Sequence, residues 1–455
     1  MMRQLRLSEL QAPLDATLLG ADAAFSAVSI DSRRVNPGDL FVALRGDNFD
    51  GHDFLPAAAS SGAAAALVST TDGTALPQLL VADTQRALGR LGAFNRDLYR
   101  GPLVAITGSS GKTSVKNMAS AVLSRRGRTL ATEGNFNNEI GVPLTLLRLE
   151  PGMAFAVVEM GAAALGDIAW LCELGRPTVS VLLNAMPAHL EGFGSVADVA
   201  RAKGEIFDGL EQGDVAVINA DQPWADAWRE RAAPARILDF SLRGDAAVRL
   251  LEQRGLGLEG STFRVATPAG EMHAELALPG EHNVANALAA TAIGLACGLA
   301  PEEIAAGLAD VRPVAGRLSA QRNASGVLVV DDCYNANPGS VRAAIDTLAA
   351  TPGCRTLLLG EMRELGAGSE RMHAEMGGYA RERGIEGFWG VGAALRPAAD
   401  AFGDAARWYP DCDSAAMDIG GAFAAGDVVL VKGSRGARME RLLQALMAPA
   451  DVEER

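Results

Sequence analysis

Aromatic residues make up only 5% of the chain, and its five cysteines, Cys172, Cys297, Cys333, Cys354 and Cys412, stand singly with no CxxC pair and no histidine-rich spacing. That scatter excludes a disulfide framework and a cysteine-ligated zinc site, and fits unpaired thiols in a reducing compartment. Long apolar runs are missing as well. The most apolar long segment, LAATAIGLACGLA, covers about 13 residues, short of the roughly 20 that a spanning helix needs. The opening MMRQLRLSEL lacks the apolar core of a signal peptide. Basic clusters are also lacking: Lys and Arg number 41 against 55 Asp and Glu, a net charge of -14. No basic run offsets that excess, which argues against a nucleic-acid partner. A soluble, cytoplasmic protein without a membrane span is expected.

What is present is a globular composition, 49% apolar and rich in Ala, Val, Leu and Gly, over 455 residues. That length exceeds the size at which one hydrophobic core stops growing, so three domains are expected. Residues 1–100 carry short strand-like runs such as VSIDSRRVNPGDLFVALRGDNFDGHDF and read as a small α/β domain. The charged, Gly- and Pro-containing stretch NRDLYRGP closes it. From 101 to 313, strands such as LVAIT, FAVVEM and VSVLLN alternate with helical patterns, the mark of a doubly wound parallel sheet. Alternating residues over 261–278 predict an antiparallel hairpin appended to that sheet. After LADVRPVAGRL, the runs VLVV, TLLL, GFWGVG and VVLV set up a third α/β domain over 314–455.

The strongest local signal is VAITGSSGKTSV. It departs from the strict GxxxxGK[ST] pattern, since Ala105 stands near the place of the first glycine. What remains is a strand, a glycine-permitted turn, a Lys-Thr pair and a helix. Thr107, Gly108, Ser109, Ser110, Gly111, Lys112, Thr113 and Ser114 would present backbone N–H groups, an ammonium and a hydroxyl to nucleotide phosphates and Mg²⁺. Glu159, at the end of FAVVEM, stands where a neighbouring strand's C-terminal end would meet that loop and suits a magnesium carboxylate. His189 follows VSVLLN in a loop, where a lone histidine is more often structural than catalytic.

The runs TGSSGKTS, ATEGNFNNEIGVPLTLLRL, VVEMGA, NAMPAHLEGFGS, RAKGEIFDGL, GEHNVANALAA, AGRL, DDCYNANPGS and VLVKGSRGARME resemble, in this order, those of the Mur ligases. That family builds the peptidoglycan stem peptide, and DSRRVNPGDLFVALRGDNFDGHDF extends the resemblance to nearly the whole chain. Within it, the motifs are most similar to those of the ligase that adds D-alanyl-D-alanine to UDP-N-acetylmuramoyl-tripeptide. The resemblance implies an N-terminal UDP-sugar domain, a central P-loop ATPase and a C-terminal Rossmann-like domain that binds the acceptor dipeptide.

It also implies an ATP-dependent reaction in which Lys112 holds phosphates while Thr113, Glu159, His189 and Lys203 attend two magnesium ions. Lys203 matches the family lysine that CO₂ carbamylates; read from its surroundings alone, it is an exposed helical lysine beside Glu205. Asn283 and Asn286 match the family's contacts to the nucleotide base, although short polar side chains at a helix start also suit capping. Arg317 resembles the arginine that reaches ATP from the third domain, and Asp332 and Asn335 its ribose-side loop. Ser32, Arg33 and Asn138 are implied for the UDP-linked donor. Lys432, Ser434 and Arg435, after a strand and at an expected helix start, suit the acceptor's carboxylate. A monomer that closes its third domain on ligand binding is expected. Three other readings stay open here: the family member adding diaminopimelate or lysine, folylpolyglutamate synthase, and a non-catalytic P-loop module.

Overall fold

Three main sheets follow one another along the chain, with two short two-stranded ribbons beside the first. The computed structural model describes residues 1–448 apart from 47, 72, 74, 188 and 189, and apart from the side chains at 190, 191 and 367. The first sheet contains β1 (Thr17–Leu19), β2 (Val28–Ser29), β3 (Leu40–Val42), β4 (Ala65–Val68) and β5 (Gln78–Leu80), in the order β1-β5-β4-β3-β2. Only the β1–β5 pair is antiparallel.

The central sheet is built from β6 (Leu103–Thr107), β7 (Thr129–Ala131), β8 (Phe155–Glu159), β9 (Val179–Leu182), β10 (Val215–Asn219), β11 (Arg236–Ser241), β12 (Val248–Gly255), β13 (Ser261–Thr267) and β14 (Gly270–Leu276). Its order is β7-β8-β6-β9-β10-β11-β12-β13-β14, parallel as far as β12. The last two strands are the expected hairpin, antiparallel with Ser261 opposite Leu276. Apolar side chains point both ways from β6, because consecutive strand residues face opposite sides. Leu103 and Ala105 enter one core and Val104 and Ile106 the other. Helices must therefore cover both faces.

Among them, helix α1 (Thr84–Asp97) spans from the first sheet to the central one. Its Asn95 Nδ2 donates to the carbonyls of Leu146 (2.9 Å) and Leu149 (3.3 Å), and its Arg96 donates to Gly175 O (2.7 Å) and Arg176 O (3.0 Å). Helices α2 (Lys112–Ser124), α3 (Gly141–Leu147), α4 (Asp167–Gly175), α5 (Val196–Gly204) and α6 (Glu281–Ala296) complete the layers that matter for the site.

The third sheet has β15 (Ser319–Arg322), β16 (Leu328–Asp332), β17 (Arg355–Gly360), β18 (Gly387–Val391), β19 (Ala406–Tyr409) and β20 (Val428–Lys432) in the order β15-β16-β20-β17-β18-β19. The runs VLVV, TLLL, GFWGVG and VVLV are β16, β17, β18 and β20, and helix α7 (Pro338–Ala349) follows β16. Only β15 runs antiparallel to its neighbour.

Candidate active site

Strand β6 lies between β8 and β9, so the connections leaving its C-terminal end diverge to opposite sides, and a crevice opens there. That crevice widens into a cleft of about 1440 Å³, with the central sheet on one side and the C-terminal ends of β16 and β20 on the other.

The turn after β6 is tight and depends on its glycines. Gly108 (φ 158°) and Gly111 (φ 83°) bend the chain into helix α2, and Gly111 is its cap in the left-handed region that favours glycine. A side chain there would also collide with Asn286, whose Oδ1 lies 2.6 Å from the position of a Cβ. Asn184, at the end of the β9 run, staples the turn: its Oδ1 accepts from Ser110 N (3.0 Å), and its Nδ2 donates to Ser110 O (3.1 Å). Ser109 N donates to Asn184 O (3.1 Å). Lys112 Nζ folds back onto Gly108 O at 2.8 Å. Desolvation pulls the pKa of Lys112 below the usual lysine value, while Glu159 opposes that shift.

Glu159 ends β8 beside this turn because Ile106 and Glu159 are register partners. Its carboxylate is buried and bridged: Thr113 Oγ1 donates to Oε2 (2.9 Å) and Asn137 Nδ2 to Oε1 (2.8 Å). Lys203 of α5 opens into the same cleft, but it is a core residue, 2% exposed, rather than the exposed helical lysine its neighbours suggest. Among the described residues it has no hydrogen-bond or ion-pair partner, and burial together with the charge of Lys112 takes its pKa down to about 7. Glu205 turns the other way, accepting from Gly166 N (2.8 Å) and Ala169 N (3.1 Å). His189 lies outside the described residues. No cluster of three or more His, Cys, Asp or Glu forms among the described residues.

Asn283 and Asn286 are buried in the first turns of α6, and both line the cleft. Gly280, not either asparagine, is the cap; Asn283 Nδ2 donates to Pro279 O (2.7 Å) and Asn286 Nδ2 to Asn283 Oδ1 (3.2 Å). His282 beside them, missed by the sequence reading, has a pKa lowered to about 4, first by burial and then by Lys432. Arg317 enters from the linker before β15 and rests on the ring of Tyr334, 4.1 Å from its centroid. Tyr334, Asn137 and Asn184 were also missed as individuals, although each stands inside or beside a quoted motif.

Asp332 and Lys432 are register partners at the ends of β16 and β20, and this brings Lys432 Nζ to 2.5 Å from Asp332 Oδ2 and 3.0 Å from Asn335 O. Burial raises the Asp332 pKa against the opposing pull of Lys432. Ser434 Oγ donates to Glu361 O at 2.5 Å, while Arg435 is exposed. The helix start expected at 434–435 is a single 3-10 turn, Arg435–Ala437, with the α-helix beginning only at Glu440. Lys432, Ser434, Arg435 and Asn335 nevertheless line the cleft, with Ser114 and Asn138 on its central side.

Three of the expected residues do not face this cleft. Thr107 is fully buried in β6 and its Oγ1 has no hydrogen-bond partner among the described residues; strand alternation turns it inward. Ser32 and Arg33 sit on a 3-10 turn of the first domain, where Arg33 pairs with Asp31 (2.9 and 2.8 Å) and helps hold the Asp31 pKa at about 2. Asn138 reaches the cleft, while its Oδ1 accepts from Gly141 N (2.9 Å) at the head of α3.

Residues 24–92 match the family model of the Mur ligase family catalytic domain, 106–294 the Mur ligase middle domain, and 316–435 the Mur ligase glutamate ligase domain. The UDP-N-acetylmuramoyl-tripeptide--D-alanyl-D-alanine ligase of Escherichia coli K12 is 44% identical over 448 residues, 98% of this chain and 99% of that one. A crystal structure of MurF from Acinetobacter baumannii superposes with a TM-score of 0.93 at 33% identity, covering 98% of this chain and 99% of that one. MurF ligase from Thermotoga maritima in complex with ADP superposes with a TM-score of 0.83 at 30% identity, covering 92% and 97%.

Proposed function

This chain belongs to the Mur ligase family, and on that premise we propose that it joins D-alanyl-D-alanine to UDP-N-acetylmuramoyl-tripeptide, using ATP and releasing ADP and phosphate. The observation that carries the reading is the near-full-length match to the E. coli ligase of that name. The cleft supplies a chemistry that fits it.

Forming an amide from a carboxylate is uphill in water, so the donor's terminal carboxylate must first take the γ-phosphoryl group and become an acyl phosphate. The amine of the acceptor then attacks the acyl carbon, and phosphate leaves. In the first step, the N–H groups of the turn and the start of α2 grip the phosphates. Lys112, released from Gly108 O, would follow the charge as it spreads over the transferring group. Arg317 approaches the same region from the third domain. In the second step, a positive group at the acyl oxygen stabilises the tetrahedral adduct, a role open to Lys112.

Thr113 and Glu159 fit a magnesium ion, since a hydroxyl and a buried carboxylate 2.9 Å apart beside a phosphate turn are the hard oxygen donors that Mg²⁺ takes. When bound, the ion neutralises phosphate charge and polarises the transferring group. We read a second ion as held by His189 and by Lys203 in carbamylated form. A pKa near 7 supports that modification, because only the neutral amine adds to CO₂ and about half of it is neutral there. Asn283, Asn286, Asp332 and Asn335 are proposed for the nucleoside; Ser32, Arg33 and Asn138 for the UDP-linked donor; Lys432, Ser434 and Arg435 for the acceptor. Lys432 would serve the acceptor as one half of its pair with Asp332. One chain supplies all of these groups, so a monomer suffices, and ATP and a UDP-linked donor are at hand in the cytoplasm. The domain limits near 100 and 313 belong to the same proposal.

The test is ADP release from purified protein given ATP and magnesium. Release should require both peptides together, and the product mass should equal donor plus acceptor less one water. ADP release that ignores the acceptor, or no longer product, would sink the reading.

A further inference from the structure

One turn beyond Lys112, helix α2 carries a second lysine that the reaction above does not use. Lys116 is 4% exposed, and its Nζ donates to Thr132 O (2.7 Å) and Gly134 O (3.4 Å). Its hydrogen-bond acceptors are backbone carbonyls, with no carboxylate in contact among the described residues, and desolvation lowers its pKa against the longer-range pull of Glu159. Burying an ammonium is costly unless it is well hydrogen-bonded. A methionine would fill the space without that cost but would leave both carbonyls without this donor, so what the lysine adds is its tie to Thr132 and Gly134.

Its two acceptors open the segment 132–138, whose later residues line the cleft. Thr132 Oγ1 accepts from Glu159 N (3.0 Å), Asn137 O accepts from Gly161 N (2.8 Å), and Asn137 Nδ2 holds Glu159 Oε1 (2.8 Å). Glu159 Oε2 returns to Thr113 on the same helix (2.9 Å). A closed ring results: α2, Lys116, segment 132–138, Glu159, Thr113 and α2 again.

We propose that Lys116 is a positioning residue that ties segment 132–138 to the phosphate-binding helix and so holds Glu159, its partner Asn137 and the donor-side Asn138 at one geometry relative to the bound nucleotide. The kinetic part of this rests on the ligase reading; the ring itself does not.

Two measurements test it. In hydrogen exchange on the free protein, Lys116→Met should lose roughly tenfold or more protection in 132–138 while α2 keeps its own, and Lys116→Arg should fall between. In the ligase assay, Lys116→Met should raise the half-saturating magnesium concentration and the donor KM about tenfold or more, as loss of an outer-shell partner does. The KM for ATP should move less than about twofold, since the turn and Lys112 are intact. Unchanged exchange in 132–138, or donor and ATP constants rising in step, would overturn the proposal. If Lys116→Met does not fold, Thr132→Val removes only the oxygen that accepts from Glu159 N; it should show the same magnesium shift, and an unchanged magnesium dependence overturns the ring. A wild-type protein without ligase activity would instead bring down the functional reading and leave exchange to decide the role of Lys116.

Discussion

At position 203, a lysine stands buried in the wall of the cleft near Lys112, and its folded pKa of about 7 lies far below the 10.5 of a free lysine. Between those values the unfolded chain holds a proton that the folded chain does not, so stability rises with pH across that window; below about 7 the whole cost is present. Lys203→Met removes the cost. In CO₂-free buffer at pH 7, it should raise stability by roughly 4 kcal/mol, with the gap over the wild type narrowing as pH climbs toward 10. Ligase activity should fall at least ~100-fold, and wild-type activity stripped of CO₂ should recover with bicarbonate. Melting curves and rates check this; a variant no more stable than the wild type at pH 7 would show the lysine to be unstrained. The sequence hid this burial because charged Arg201 and Glu205 flank Lys203 two residues away on either side, while α5 is otherwise mostly small Ala and Gly, and only packing decides which face turns inward.

At the scale of one element, the turn from β6 into α2 depends on Gly111. A β-carbon there meets two penalties, a left-handed backbone at φ 83° and a contact of 2.6 Å with Asn286. Gly111→Ala should weaken ADP binding by at least ~10-fold and lower stability by about 1–2 kcal/mol, as read by calorimetry and thermal melts. Unchanged ADP affinity would mean that the turn has room to spare. This element was legible from sequence because its signals are local: an apolar run, a glycine pair, then lysine and threonine. The short edge strands β15 and β19 were not, because neither SAQR nor ARWY carries the apolar run that marks a buried strand. Edge strands take their pairing from a neighbour already in place.

Across the whole molecule, the cleft is assembled from sheets that lie far apart in the chain. Arg317, resting on Tyr334, stands in the linker between the central and third sheets, where a swing of the third domain would carry it toward Lys112. A closing movement would also expel the water that hydrolyses an acyl phosphate. Arg317→Ala should therefore cut kcat by about 100-fold while ATP affinity stays within ~3-fold; equal losses in both would count against this role. Small-angle scattering should show a smaller radius of gyration with a non-hydrolysable ATP analogue and donor than without them, and an unchanged radius would speak against closure. Helix α1 is bonded through Asn95 and Arg96 to the central domain and ties the first sheet to it.

From the amino-acid order alone came the α/β class, the central strands and their appended hairpin, the phosphate turn and the family motifs, since each depends on neighbours within a few turns or strands. Tertiary structure alone decided that Lys203 is buried, that Asp332 and Lys432 meet as register partners from strands a hundred residues apart, that Thr107 faces away from the cleft, and that Lys116 closes a ring around Glu159. Burial, register and long-range hydrogen bonds are properties of which surfaces come together, and no local pattern carries them.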